Sequence, residues 1–287
     1  MPSKKLFSGD ARSAAAVVMG ETLVILAATF ALAAAAVRSG VRAVSAGALP
    51  SDAALVWTFL AAFAAVTVVL LLMLRTFRGS KLFEAVFLLA VFTGIGTLLY
   101  SYFGGSGAVL LTSIAVFLYY GSRSVLVFDL LLVLGCAGIA ETLGASMSPV
   151  GTAIILTILA AYDIVAVYVT KHMVAMAETL LRRRVFFAMI LPERPDGFLL
   201  PTAEARPGEG FVFLGTGDVI LPALLVVSVS RLSVPAAVIT AVGALLGAAA
   251  LHVLFLSQKV RRPMPALPPI AAGALLGFVA SFFLYLS

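Results

Sequence analysis

Leu156–Thr170 reads LTILAAYDIVAVYVT, and Phe211–Val229 reads FVFLGTGDVILPALLVVSV. Each is an apolar run interrupted by one aspartate, Asp163 in the first and Asp218 in the second. An ionisable side chain at the middle of a bilayer costs roughly 2.5–3.5 kcal/mol on insertion scales, so such a residue marks function by default. Their neighbours are Tyr162 on one side and Gly215-Thr216-Gly217 on the other. A third irregularity, Pro265-Ala266-Leu267, opens the last apolar segment.

The rest of the chain says which solvent surrounds these runs. Its 287 residues are 62% hydrophobic and 11% charged, with a mean hydropathy of +1.16. A soluble domain carries about 25% charged residues, so the class is a polytopic membrane protein with the lipid bilayer as its partner. The pI near 9.7 would suit nucleic acid, but the basic residues lie between apolar runs, where membrane topology puts them. No nucleic acid is expected as a partner. Cys136 is the single cysteine and has no internal disulfide partner. Ala14–Val37 is longer than the ~7–15 residues of a signal-peptide core, and reads as a membrane span containing Glu21.

A span needs about 20 apolar residues. Runs of that kind occur at Ala15–Val37, Ala53–Leu74, Leu82–Tyr102, Val125–Gly144, Pro149–Thr170, Phe211–Ser230, Val234–Leu256 and Pro265–Leu286, with a shorter one at Gly107–Tyr120. Helices are expected, since an open strand leaves backbone groups unpaired in lipid. Counting the short run and starting inside puts sixteen of the nineteen Lys and Arg on the cytoplasmic side, leaving Arg38, Arg42 and Arg231 outside. Dropping it would export the most basic later loops. The sequence therefore predicts an all-α protein with nine transmembrane helices, N-terminus cytoplasmic and C-terminus outside, as a multi-pass protein of the cell membrane.

Two regions follow: an N-terminal bundle of five spans over 1–144, and a region over 145–287 carrying the marked segments. Between spans six and seven lies the one long loop, 171–210. Lys171–Ile190 has helical spacing and reads as an extension of span six along the headgroups. Pro192, Pro195, Pro201 and Pro207 then break regular structure, and a mobile stretch or substrate gate is expected there.

Asp163 lies eight residues before Lys171, and Asp218 seven after Phe211. At 1.5 Å per residue both sit roughly 10–12 Å from the cytoplasmic boundary, on consecutive antiparallel helices. Two carboxyls brought together at that depth do not both ionise easily; they share a proton and titrate as a pair. The ionised member can take a proton from water while the protonated one donates to a carbonyl, giving a gem-diol without an acyl-enzyme. No metal or cofactor enters this chemistry. Gly215 and Gly217 leave room for water or a peptide beside Asp218. The prolines from Pro263 to Pro269 leave the Ala266–Leu267 region irregular, with backbone groups free to pair an extended substrate. Tyr162 either hydrogen-bonds the aspartates or packs.

Tyr162-Asp163, Gly215-Thr216-Gly217-Asp218 and Pro265-Ala266-Leu267, in this order on spans six, seven and nine, resemble the presenilin and signal peptide peptidase family of intramembrane aspartyl proteases. The resemblance covers the chain from about Pro149 onward, and the short loop resembles a compact microbial homologue. It implies nine spans, Asp163 and Asp218 as catalytic dyad, and Pro265, Ala266 and Leu267 shaping the active site against a transmembrane peptide substrate. The cytoplasmic N-terminus matches the presenilin side of the family. Thr216 departs from the family's usual leucine at a position that the resemblance places against substrate. The sequence carries no mark of oligomeric state.

Three rival chemistries can be weighed. Gly104-Gly105-Ser106-Gly107 imitates a serine-protease nucleophile turn, but Ser106 falls outside while His172 and His252 lie near the cytoplasm. A zinc protease lacks its His-Glu-x-x-His pattern. A proton- or cation-coupled transporter would use the same aspartates as ion sites, but the two halves show no internal similarity. The remaining acids, Glu21, Glu84, Asp129 and Glu141, lie near span ends and are expected to reach the headgroups.

Overall fold

A computed structural model describes residues 11–39, 52–76, 81–170, 179, 187–257 and 264–286. The elements in chain order are α1 (Ala11–Arg38), α2 (Asp52–Thr76), α3 (Lys81–Ser122), α4 (Val125–Ser146), α5 (Pro149–Ile164), β1 (Ala188–Pro192), β2 (Phe211–Gly215), α6 (Thr216–Ser230), α7 (Val234–Ser257) and α8 (Leu267–Ser281). Among the described residues, seven helices are long and apolar enough to cross a membrane, with α6 a shorter apolar helix. The protein is a polytopic, predominantly helical membrane protein.

Helix starts follow local chemistry. Ser124 caps α4 by accepting the Val127 N–H, and Ser148 caps α5 by accepting that of Gly151, with Pro149 in the first turn. α3 is a hairpin rather than one rod. Gly104 interrupts it at φ 71°, and the Phe92 and Tyr119 rings on its two limbs lie 6.3 Å apart. A straight helix would hold those residues about 40 Å apart. The limbs 81–103 and 105–122 therefore run antiparallel, and the short run at Gly107–Tyr120 is a full limb.

Contacts between helix ends sort the molecule into two poles. At one, Ser124 bridges Pro201 and the Thr202 N–H donates to the Arg123 carbonyl. At the other, the Ser39 hydroxyl donates to the Ser101 carbonyl near the α3 turn, and Arg231 donates to the Ala145 carbonyl.

Packing between helices relies on glycine. On α7, Gly243 and Gly247 face Gly273 and Gly277 of α8, and a Cβ on any of the four would strike backbone of the opposite helix. Gly94 of α3 meets Gly135 and Gly138 of α4 in the same way. In lipid, where apolar surface has no reason to leave its solvent, such close backbone approach supplies the dispersion contacts that hold helices together.

Two expectations fail on the segment before α6. Phe211–Gly215, read as the start of a span, is a strand, and Ala188–Ile190, read as helix, is its partner. The pair is antiparallel, with Ala188 opposite Gly215 and Pro192 opposite Phe211. Gly215 and Gly217 weaken the helix at its first turn, and the apolar Phe-Val-Phe-Leu run instead completes a sheet whose Met189, Ile190 and Leu191 are fully buried. α6 is then 15 residues, about 22 Å long. The proline-rich stretch is held in place too: short 3₁₀ turns at Pro195–Leu199 and Thr202–Glu204 are tied to the α3–α4 junction. The rest of the expected helical extension, from Lys171 to Val185, lies outside the described residues except for Thr179.

Substitution should expose the dependence on glycine. Gly273→Val should destabilise the protein by about 1–3 kcal/mol through overpacking, read as a lower thermal unfolding midpoint in detergent. Gly20→Ala, where a Cβ meets nothing within 4 Å, should leave the midpoint unchanged.

Candidate active site

Asp163 sits in the last turn of α5, 6% exposed. Directly after it, at Val165–Val169, the helix widens into a π turn closed by the Thr170 N–H on the Val165 carbonyl. Such turns are frequent at functional sites because they re-aim side chains. The Asp163 carboxylate accepts the backbone N–H of Leu267. Leu267 is the first residue of α8, where helix geometry leaves N–H groups without an intrahelical acceptor. An anion at that end also complements the helix dipole. Asp163 Oδ2 is buried and makes no hydrogen bond within the described structure.

Asp218 is the third residue of α6, and Gly215 is its N-cap. The Asp218 carboxylate turns back to accept the Gly215 N–H, as an acid at this position does in a capping box. A Cβ on Gly215 would lie 2.9 Å from Asp218 Oδ2, whereas one on Gly217 would meet nothing within 4 Å. Gly217 is exposed and Asp218 half-buried. The two carboxylates lie close enough to act on each other electrostatically. The elements bearing them, α5 and α6, pack together and against α8.

The other candidate residues fall around this pair. Pro265 and Leu267 are buried and Ala266 half-buried, and α8 begins only at Leu267, so the Pro-Ala segment is irregular as expected. Thr216 turns toward the hairpin, its N–H and hydroxyl both meeting the Phe187 carbonyl at 3.3 Å. Tyr162 packs its ring edge-on against Phe63 of α2, with centroids 6.0 Å apart, and interacts electrostatically with Asp163.

Three acids were misread as reaching the headgroups, and on α1 both carboxylate oxygens of Glu21 are buried. Asp129 is 4% exposed and accepts the Ile190 N–H at 2.9 Å; Glu141 is 2% exposed and accepts the Ser101 hydroxyl at 2.7 Å. Their closeness to span ends hid the fact that other elements cover those ends. His252 is buried near the end of α7, bonded through Nε2 to the Thr22 hydroxyl at 2.8 Å. His172 lies outside the described residues. Ser106 is exposed just past the α3 turn. Among the described residues no group of three or more His, Cys, Asp or Glu is gathered for a metal.

Residues 19–285 match the model of the family described as "Signal-peptide peptidase, presenilin aspartyl protease". The chain belongs to that family. It is an intramembrane aspartyl protease, and the transporter reading gives way. Two solved structures are similar to it over nearly their whole length. One, titled "Structure of a presenilin family intramembrane aspartate protease in C222 space group", is 26% identical with a TM-score of 0.61, covering 91% of this chain and 96% of its own. Another, of a presenilin family intramembrane aspartate protease in the P2 space group, is 30% identical with a TM-score of 0.59, covering 92% and 97%. No curated protein sequence matches.

The two glycines before Asp218 should behave differently in this protease. Gly215→Ala pushes directly on the Asp218 carboxylate and should lower kcat by ~10- to ~100-fold, the usual cost of an ångström-scale misplacement. Gly217→Ala adds a methyl to open space and should cost far less. Cleavage of a labelled transmembrane peptide by the folded variants measures the contrast.

Proposed function

We propose that Asp163 and Asp218 are the catalytic pair, hydrolysing peptide bonds of single-span membrane proteins. The observation that carries this reading is their meeting: two carboxylates, 55 residues apart in sequence, interact electrostatically where α5 and α6 pack with the start of α8. With one carboxyl ionised and the other protonated, the ionised one takes a proton from water as the water oxygen attacks the scissile carbonyl. The protonated one donates to the carbonyl oxygen, and a neutral gem-diol forms. In the second step the carboxyl that gained the water proton gives it to the leaving nitrogen as the C–N bond breaks. The other carboxyl recovers a proton from the gem-diol, and the pair returns to its starting state. The Leu267 and Gly215 N–H groups hold the two carboxylates in place throughout.

Around the pair, Gly215 and Gly217 keep the approach to Asp218 open, and Tyr162 packs beside Asp163. Pro265, Ala266 and Leu267 form the wall that an extended substrate meets. Thr216 joins the substrate side through the hairpin that it braces. No metal or cofactor takes part in this scheme.

The membrane arrangement follows from counting the two α3 limbs and α6 as spans, which makes nine, with the N-terminus cytoplasmic and the C-terminus outside. The Ser124–Pro201 bridge supports this orientation. It gathers Arg123, Arg194 and Arg206 at one pole, while Arg38 and Arg231 lie at the other, so the positive-inside tendency points one way. The multi-pass protein is assigned to the cell membrane.

Wild-type enzyme in detergent should release products from a labelled transmembrane peptide, and Asp163→Ala and Asp218→Ala should each release none. Products from either variant would remove that residue from the chemistry. The wild-type pH profile of kcat should be bell-shaped. Toward acid the ionised carboxyl that activates water is lost by protonation, and toward alkali the protonated one loses the proton that it donates. A flat profile over about pH 4–9 would exclude the paired mechanism.

A further inference from the structure

Asp129 lies in the first turns of α4, far in sequence from the catalytic pair, and is almost wholly removed from solvent at 4% exposure. A carboxylate so placed needs a partner, and its Oδ1 takes one from the hairpin, accepting the Ile190 N–H at 2.9 Å. Ile190 stands opposite Phe213 in the middle of the two-stranded sheet and is itself fully buried. Its N–H points to α4 rather than to β2, so Asp129 answers a donor that the ladder leaves open. From α1, Glu21 acts on Asp129 electrostatically.

The hairpin leads straight to the active site. β1 fixes β2 by register, and β2 ends at Gly215, whose N–H holds the Asp218 carboxylate. Just before β1, the Phe187 carbonyl accepts from both the N–H and the hydroxyl of Thr216 in the first turn of α6. Among the described residues the sheet has two strands, and such a pair is marginal without outside support. α1 and α4 are the helices packed against β1, and Asp129 makes the directional bond between them and the strand.

We propose that Asp129 is a positioning residue for the aspartate pair: its Oδ1 anchors β1 at Ile190, and β1 sets the backbone from which Asp218 projects. The inference rests on Asp163 and Asp218 being catalytic. Asparagine keeps an acceptor oxygen at the same place, alanine removes it, and these two substitutions separate the roles.

The test measures kcat and KM per folded molecule on a labelled transmembrane peptide, using protein recovered as a monodisperse peak. Asp129→Asn should stay close to wild type. Asp129→Ala should lose ~10- to ~100-fold in kcat, the scale set by a displaced catalytic group, with KM little changed and with faster amide hydrogen exchange over 188–192. If the alanine variant is not recovered folded, Asp129→Ser, too short to reach the Ile190 N–H, should show the same loss. A wild-type kcat in the alanine or serine variant overturns the proposal, as does an asparagine variant that falls as far as they do. A change confined to KM also overturns it, making Asp129 a determinant of substrate docking instead. Asp218→Ala run alongside tells the two failures apart: if it cleaves peptide, the catalytic reading itself has failed.

Discussion

A buried carboxylate and a broken helix end are each costly in hydrocarbon, and in this protein each satisfies the other. Asp163 receives the N–H that α8 exposes at Leu267, and Asp218 receives the one at its own helix cap, Gly215. Neither bond exists if the helices run unbroken through the membrane, because those N–H groups would then be spent on intrahelical carbonyls. The irregular backbone at Pro265-Ala266 and at Gly215 is therefore tied to keeping two acids inside the protein. Non-helical backbone at membrane depth is tolerated only against protein or water, and here the protein side of that condition is met by the acids themselves.

Holding such an arrangement demands stiff surroundings without a hydrophobic driving force between helices. The glycine contacts of α7 with α8, and of α3 with α4, meet that demand by bringing backbones together. At the far pole of α5 and α6, the Thr152 and Ser228 hydroxyls share a buried hydrogen bond of 2.8 Å. That bond fixes the two aspartate-bearing helices against each other at the end away from the aspartates. The active site is thus framed by α8 on one side, the hairpin below, and a polar pin at the opposite end.

Most of this frame was legible in the sequence, and the parts that were not share a cause. The aspartates were visible because charge inside an apolar run has no bland environment to occupy, and the Pro-Ala-Leu segment because proline excludes a regular helix start. The hairpin was hidden because Phe211–Leu214 is continuously apolar, and a short apolar run does not tell a buried strand from the start of a helix. What decides is the partner strand at Ala188–Pro192, 23 residues upstream at matched register. Asp129 was misread for the same reason. Its position near a span end suggests lipid headgroups, and only the tertiary structure puts a strand over it. Gly104-Gly105-Ser106-Gly107 stands out in the sequence as a turn, but the antiparallel packing of the limbs around it rests on pairs such as Phe92 and Tyr119.

The two acids are not equivalent, and the difference gives the site a direction. Asp163 is 6% exposed just before the π turn, with its Oδ2 buried and unbonded among the described residues. Asp218 is half-buried beside Gly217, which is exposed and has no neighbour where a side chain would stand. The pair is therefore open toward Gly217, at the start of α6. The strand that delivers Asp218 to this opening, β2, ends at the residue whose N–H holds the carboxylate. The opening and the hold on the carboxylate consequently share the same few residues, Gly215 to Asp218, and a change that loosens one will loosen the other.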